Sequence, residues 1–377
     1  MSVFWTERIK NTEPYTPGEQ PANKKLIKLN TNENPYPPSP LVIEAIKNAA
    51  NEKLRLYPDP DSIQLRDIIA GHYGLNREEV FPGNGSDEVL AFAFGAFFGR
   101  EEKCVLFPDI SYGFYPVYCG LWNIPFTQIP LDEDFSINAN SYVNEISAGN
   151  CGGIIFPNPN APTGILLSLD NVKIIAEAAL KKNIVLIVDE AYIAFAAPES
   201  TVPDSSTLES SALSLIKSFP NLLIVRTFSK EASLAGLRAG YAMGNRELIQ
   251  GLFRMKDSFN SYPMDALSQA GASAAIKDAS YYREINKRII NTRTRISSAL
   301  EKMGFKVLPS SANFIFASPQ KGNLKAADYF TALRERGILL RYFNKPRINN
   351  YLRISIGNDD DMDKFLEACR EIGAGGN

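Results

Sequence analysis

One lysine in this chain stands among small residues directly after an apolar run. Leu222, Leu223, Ile224 and Val225 read as a buried strand. Thr227-Phe228-Ser229-Lys230 comes just after it. A lysine amine kept partly neutral by burial and by nearby cations adds to a carbonyl carbon. Thr227 and Ser229 flank the lysine, and Arg238 lies further on. Hydroxyls and a guanidinium supply the donors that a phosphate accepts, the guanidinium in pairs. An aldehyde for the lysine beside a phosphate for the donors describes pyridoxal phosphate. On this chemistry alone a second reading stands equally: Lys230 is a surface lysine in a Ser-rich turn.

Another candidate lies at a second strand end. Ile184 to Val188 is a continuous apolar run, the pattern of a strand covered on both faces. It ends in Asp189-Glu190-Ala191-Tyr192. Parallel sheets bind ligands at the carboxyl ends of their strands, so Asp189 and Tyr192 are candidates for a site there. An isolated aspartate in such a place more often caps a helix. Gly83-Asn84-Gly85-Ser86-Asp87-Glu88 precedes an apolar segment, Val89 to Phe94. Glycines at a helix start leave N–H groups open and the dipole adds positive potential, which suits an anion. Ser86 alone reads equally as an N-cap. Arg353 sits between Leu352 and Ile354 in a short strand. Alternation turns its side chain away from theirs, towards a cleft where a guanidinium grips carboxylate or phosphate.

Composition bounds these readings. The 377 residues are enough for a large core and two domains. Hydrophobic residues make up 45% and charged residues 22%, ordinary for a globular protein. A net charge of −2 gives no electrostatic case for nucleic acid. No apolar run reaches the roughly 18–20 residues that span a bilayer, and the first residues show no signal-peptide pattern. Cys104, Cys119, Cys151 and Cys369 are scattered, so neither a zinc site nor a disulfide framework is indicated. Reduced thiols in a cytoplasmic protein are expected. The single histidine, His72, ends a helical pattern and reads as a residue favoured there by the dipole. Acid–base chemistry then falls to Lys, Asp, Glu or Tyr.

Periodicity supplies the elements that would position these groups. Residues 11–38 are rich in Pro and Asn and read as an extended arm. Ser39 caps a helix whose first residue is Pro40 and whose stripe is Val42, Ile43 and Ile46. Ser62 caps the next, closed by Gly71 or Gly74. Lys103 to Phe107 and Gly153 to Phe156 read as strands, and Pro108 opens a helix that carries Tyr112 and Tyr115. Asp278 to Lys302 forms one long helix. Phe305 to Leu308, Phe314 to Ala317, Ile338 to Leu340 and Leu352 to Ile356 are short strands around one helix near 323–336, an α+β unit apart from the parallel sheet. Residues 260–280 read as the joint.

The order Ser-Lys, Leu-Ala-Gly-Leu-Arg and Gly-Tyr within Thr227 to Tyr241 resembles the lysine signature of fold-type I pyridoxal-phosphate aminotransferases. Within them it is most similar to the histidinol-phosphate aminotransferase family, over about Tyr15 to Gly357. The resemblance implies an α/β fold. A large domain, residues 39–263, holds a mostly parallel sheet between helices. A small α+β domain, residues 264–377, is joined by the arm, residues 1–38. Lys230 would anchor the cofactor and move protons. Asp189 would pair with the pyridine N–H, Tyr192 and Asn160 would bond the phenolic oxygen, and Tyr112 would stack on the ring, with Tyr115 left to core packing. Gly85, Ser86, Asp87, Thr227, Ser229 and Arg238 would form the phosphate site. Tyr57 would reach it from the other subunit of a homodimer. Tyr15 and Glu33 of the arm would face the substrate's imidazole, and Arg353 and Arg341 would take its anions. The family reads Asn-Pro-Asn-Asn-Pro-Thr-Gly where this chain has Ala161 before Pro162-Thr163-Gly164.

The implied reaction is transamination of L-histidinol phosphate with 2-oxoglutarate, giving imidazole-acetol phosphate and glutamate. No metal, nucleic acid or membrane enters. An aromatic-amino-acid aminotransferase or a threonine-phosphate decarboxylase would share Lys230, Asp189, Tyr192 and Arg238. A regulatory module that binds pyridoxal phosphate without turnover is the alternative from another class. It would usually carry a DNA-binding extension, whereas this chain starts at the arm and has no basic segment.

Overall fold

The computed structural model describes residues 3–20, 26–196 and 210–375. Its strands, in chain order, are β1 (Ile27–Lys28), β2 (Val80–Gly83), β3 (Cys104–Pro108), β4 (Phe126–Ile129), β5 (Cys151–Pro157), β6 (Leu186–Asp189), β7 (Leu222–Thr227) and β8 (Gly240–Gly244). β9 (Phe305–Val307), β10 (Phe314–Pro319), β11 (Ile338–Leu339), β12 (Arg341–Tyr342) and β13 (Leu352–Ser355) follow. Seven strands, ordered β2-β8-β7-β6-β5-β3-β4, make the central sheet. β4, β3, β5, β6 and β7 pair in parallel, and β8 runs antiparallel to β7 and β2.

Every residue of β5, β6 and β7 is buried, as strands covered on both faces must be. Successive side chains go to opposite cores. Ile154, Val188 and Ile224 pack with Val172 and Ile175 of the helix Leu169–Leu180. Ile155, Ile187 and Val225 pack with Val89 and Phe94 of the helix Gly85–Phe97. The register pairs Pro157 with Asp189 and Asp189 with Val225. The carboxyl ends of three strands therefore lie side by side, and the candidate residues stand on that edge.

Three strands of the central sheet escape a search for apolar runs. β4 is a half-exposed edge strand with Thr127 and Gln128 in it. β2 contains Pro82 and Gly83, and β8 has glycine at both ends. The helix expected from Pro108 starts only at Tyr115. Asp109 Oδ1 accepts the N–H groups of Ile110 and Leu131, each at 2.9 Å, and holds the segment before it as a turn. Ser39 caps the helix Pro40–Ala49 by accepting from Val42 N–H, but Ile43 of the expected stripe is exposed. Ser62 makes no capping bond. Asp59 Oδ2 accepts the Ile63 N–H at 2.7 Å in its place, and Gly74 closes that helix at φ +66°.

The small sheet is antiparallel, β12-β13-β10-β9. Its core joins Ile289 and Ile296 of the long helix Ala279–Lys302 to Ile315, Ile354 and Phe365. In the arm, β1 pairs in parallel with β11. Packing runs across the expected 263/264 boundary: Ala272 and Ala275 of the helix Ala266–Lys277 share a core with Val42, Leu65 and Ile224. Along the long helix, Tyr282 packs in the first core and Ile285 in the second, while Leu308, Phe316, Ile348 and Tyr351 further on still belong to the first. Among the described residues no helix is long and apolar enough to cross a membrane, and no cluster of ligating side chains could hold a metal. All four cysteines are free.

Candidate active site

A cavity of about 2300 Å³ opens at the strand edge, and Asp189, Tyr192, Thr227, Lys230, Arg238 and Arg353 all line it. Lys230 belongs to the short helix Phe228–Glu231, which Thr227 starts by accepting the Ser229 N–H on Oγ1 at 3.1 Å. Lys230 Nζ donates to the backbone oxygen of Thr31, in the arm, at 2.9 Å. Burial and the charges of Arg353 and Arg238 push its pKa down to about 8, against the opposing pull of Glu33 and Asp87. A lysine with such a pKa keeps a reactive neutral fraction near neutral pH.

Asp189 is buried at the end of β6. Its Oδ2 accepts the Tyr115 hydroxyl at 3.1 Å and its Oδ1 the Ala191 N–H at 3.2 Å. Burial raises its pKa to about 7, and those two bonds resist the rise. A carboxylate so placed pairs strongly with a protonated ring nitrogen. Tyr115 is fully buried but does more than fill the core. Its hydroxyl had to find a partner, as buried tyrosines do, and that partner is Asp189. Tyr192 sets its ring edge-on to Phe314, with centroids 5.0 Å apart, and its hydroxyl accepts from Asn32 Nδ2 at 3.0 Å.

The candidate anion site is built by close approach. Gly85 has φ +81°, and a Cβ there would lie 2.7 Å from Arg238 Nη2. A Cβ on Gly240 would lie 2.4 Å from the Ser86 nitrogen. Only glycine at both places lets β8, the helix start and the guanidinium meet. The first N–H groups of the helix Gly85–Phe97 have no partner within it and carry the positive end of its dipole. Arg238 donates to Asp87 Oδ2 at 3.1 Å and to Ser229 Oγ at 3.5 Å. Asp87 Oδ1 also accepts the Tyr112 hydroxyl at 2.9 Å. Donors for a phosphate, an acceptor for a ring N–H and a lysine amine thus share one cavity, and this donor set fits pyridoxal phosphate.

The arm and small domain close the other side. The Tyr15 ring stacks on Phe114 at 4.7 Å and lies 6.1 Å from Tyr112. Glu33 accepts from the Lys28 ammonium and from Thr31 Oγ1. Burial raises its pKa, but those bonds and the charges of Lys28 and Lys230 outweigh it and hold the carboxyl below its usual range. Arg353 Nη2 donates to the Asn30 oxygen at 2.7 Å, while Nε is buried with no partner. Arg341 lies over Phe343, 5.5 Å from the ring centre. Tyr15, Glu33, Arg341, Ser86, Asp87, Tyr112 and Ser229 all line the cavity.

Three expected residues do not. Gly85 sits behind the wall, against Arg238. Tyr57 is 81% exposed and stacks on Tyr262, away from the cavity. Asn160, expected at the phenolic oxygen, is the third. Its Nδ2 donates to the Ile110 oxygen and Thr163 Oγ1, at 3.0 and 3.1 Å, so it braces the loop while Ala161 and Pro162 face the cavity. Other contributors went unread. Asn34 Nδ2 donates to the Lys230 oxygen at 3.0 Å. Arg226 is buried, giving Glu190 Oε2 two bonds at 3.0 and 2.8 Å and Tyr73 one at 3.0 Å. Charges at the ends of two apolar runs were the available signal.

Known proteins place this geometry in a family. The profile described as aminotransferase class I and II matches residues 24–369. A histidinol-phosphate aminotransferase of Clostridium botulinum (strain 657 / Type Ba4) is 52% identical over 372 residues, covering 99% of each chain. One from Clostridium acetobutylicum is 51% identical over 372 residues, covering 98% of this chain and 99% of its own. Among solved structures, histidinol-phosphate aminotransferase from Sinorhizobium meliloti in complex with pyridoxal-5'-phosphate is 26% identical with a TM-score of 0.84, covering 100% of this chain and 99% of that one. The fold-type I α/β architecture expected from the lysine signature is borne out by these matches. The chain belongs to the class I and II aminotransferases, enzymes that work with pyridoxal phosphate.

Proposed function

We propose that this aminotransferase moves the amino group of L-histidinol phosphate to 2-oxoglutarate, giving imidazole-acetol phosphate and glutamate. The observation that carries the reading is the cavity's charge pattern: Arg341 and Arg353 face it together with the ionised Glu33. Histidinol phosphate carries a phosphate for the first pair and an imidazole for the carboxylate. The names of relatives at about half identity support the same substrate.

Bound pyridoxal phosphate supplies an aldehyde that captures amines and a protonated ring that takes up electron density. The rest falls to this chain. Ser86, Thr227, Ser229 and Arg238 hold the phosphate, and Asp189 keeps a proton on the ring nitrogen. Tyr192 donates to the phenolic oxygen, and Tyr112 covers a ring face. Lys230 would hold the cofactor through its amine and would move the proton at the substrate Cα. Arg353 has a free Nε and a planar fork, so it binds the phosphate of one donor and the carboxylate of the other in turn. Tyr15 and Glu33 meet only the ring of histidinol phosphate.

The reading includes a homodimer in which Tyr57 completes the partner's phosphate site. Leu54, Leu56, Tyr57 and Phe259 are each more than half exposed, and exposed apolar groups of this kind mark contact surfaces. The arm is taken to travel with the small domain through the β1–β11 pair. Four free thiols fit a reducing, cytoplasmic compartment. The test is an assay of the purified protein on histidinol phosphate, phenylalanine and threonine phosphate, each with 2-oxoglutarate. Histidinol phosphate should have the highest kcat/KM. A higher value for phenylalanine, or release of carbon dioxide from threonine phosphate, would overturn the substrate.

A further inference from the structure

Asn32 is an arm residue bonded to both the small domain and the large one. It is 1% exposed and adopts φ +56°, a conformation that asparagine tolerates better than most residues. Two small-domain groups hold it. Ser355 Oγ, in β13, accepts the Asn32 N–H at 2.9 Å and donates its single hydrogen to Asn32 Oδ1 at 2.8 Å. Asn313 Nδ2 donates to the Asn32 backbone oxygen at 3.0 Å. With Oδ1 committed to Ser355, Nδ2 is left facing the large domain, where it donates to the Tyr192 hydroxyl at 3.0 Å. Thr31, the preceding residue, accepts from Lys230 Nζ.

A phenolic oxygen that accepts a hydrogen bond keeps one hydrogen of its own. That hydrogen must turn away from the incoming donor. The Tyr192 ring is pinned edge-on by Phe314, so the side left to the hydrogen is the cavity, which Tyr192 lines. We infer that Asn32 is a positioning residue: it aims the Tyr192 hydroxyl hydrogen into the cavity and thereby makes the grip on the cofactor depend on the seating of the small domain. The inference rests on the reading of Tyr192 as a donor to the cofactor's phenolic oxygen. Because the bonds to Ser355 and Asn313 bridge arm and small domain, a shift of that domain draws Asn32 off Tyr192. The hydroxyl then turns freely.

The experiment is a double-mutant cycle on the holoenzyme. Asn32→Gly, Tyr192→Phe, Ser355→Ala and the Asn32→Gly/Tyr192→Phe pair are purified with pyridoxal phosphate. Glycine is chosen because it accepts the positive φ without strain. The readouts are the cofactor's dissociation constant and the pH midpoint of its visible absorbance. Asn32→Gly should weaken cofactor binding about fivefold, the equivalent of one net hydrogen bond, and shift the midpoint in the same direction as Tyr192→Phe. The pair should match Tyr192→Phe alone. Ser355→Ala, the milder change, should give a smaller shift in that direction. Effects that add in the pair would mean that Asn32 acts on the arm and not through Tyr192, which overturns the inference alone. Tyr192→Phe with unchanged binding and midpoint would remove the role of Tyr192 itself, and the inference with it.

Discussion

Asp189 carries an opposed pair of consequences, one for stability and one for rate. Its pKa rises from an ordinary 3.8 to about 7 because burial penalises the charged form more than the bonds from Tyr115 and Ala191 favour it. The native apo-protein therefore binds a proton more tightly than the unfolded chain does. Stability from this group falls as pH rises from about 4 to about 7 and stays low above that. At about 1.4 kcal/mol per unit, the full penalty is roughly 4 kcal/mol, of which about 2–3 kcal/mol develops between pH 5 and pH 8. Asp189→Asn removes the charge and keeps the shape. One amide hydrogen then faces the Tyr115 hydroxyl or the Ala191 N–H, at a cost of about 1–3 kcal/mol that does not vary with pH. Urea unfolding of the two apo-proteins should thus show the mutant gaining on the wild type by about 2–3 kcal/mol from pH 5 to pH 8. Turnover should fall about 10²–10³-fold, because an amide cannot hold the ring nitrogen protonated by charge. Equal pH slopes in the two unfolding series would refute the buried-charge argument. Near-normal turnover would refute the role of Asp189.

Lys230, with its pKa near 8, should capture added pyridoxal phosphate at a rate that rises with pH around that value. Glu33→Gln should move the midpoint down, since the carboxylate favours the ammonium. A midpoint near that of free lysine would rule out the enclosed amine. Arg226→Met leaves Glu190 buried without its partner, which should cost about 3–5 kcal/mol of stability in chemical denaturation; a loss below about 1 kcal/mol would contradict the pairing. Arg353→Lys keeps the charge but loses the fork. Stopped-flow should show both half-reactions weakened together, whereas Tyr15→Phe should affect only that with histidinol phosphate. An Arg353→Lys enzyme impaired with one donor alone would rule out a shared clamp.

The parts of the site legible in the sequence were those whose chemistry shows locally. Asp189 and Lys230 each follow an apolar run that reads as an interior strand, and parallel pairing puts the two strand ends on one edge. Gly85 and Arg238 suggested a place for an anion, but nothing local showed that Gly240 would be needed to let Ser86 approach. Long-range bonds left no such mark. Tyr115 read as a core ring because nothing in its neighbourhood names Asp189, far along the chain, as the partner of its hydroxyl. Asn32 meets Ser355 only because β1 and β13 converge in the fold. Asn160 and Ala161 differ by one position. Which of them faces the cavity is decided by the path of the loop and not by residue type. Packing around the joint is long-range in the same way: the helix Ala266–Lys277 lies within residues 260–280, yet its Ala272 and Ala275 share a core with Val42, Leu65 and Ile224.

The central claim is that Lys230 of this chain runs a two-stroke amino transfer that begins with histidinol phosphate. Its most direct test is the visible spectrum of the holoenzyme without turnover. Stoichiometric histidinol phosphate alone should bleach the yellow cofactor band, 2-oxoglutarate should restore it, and borohydride added before the donor should trap the cofactor on the peptide that contains Lys230. Lys230→Ala should bind cofactor but fail to complete the cycle. Bleaching by phenylalanine and not by histidinol phosphate, or a trapped label on another lysine, would contradict the account.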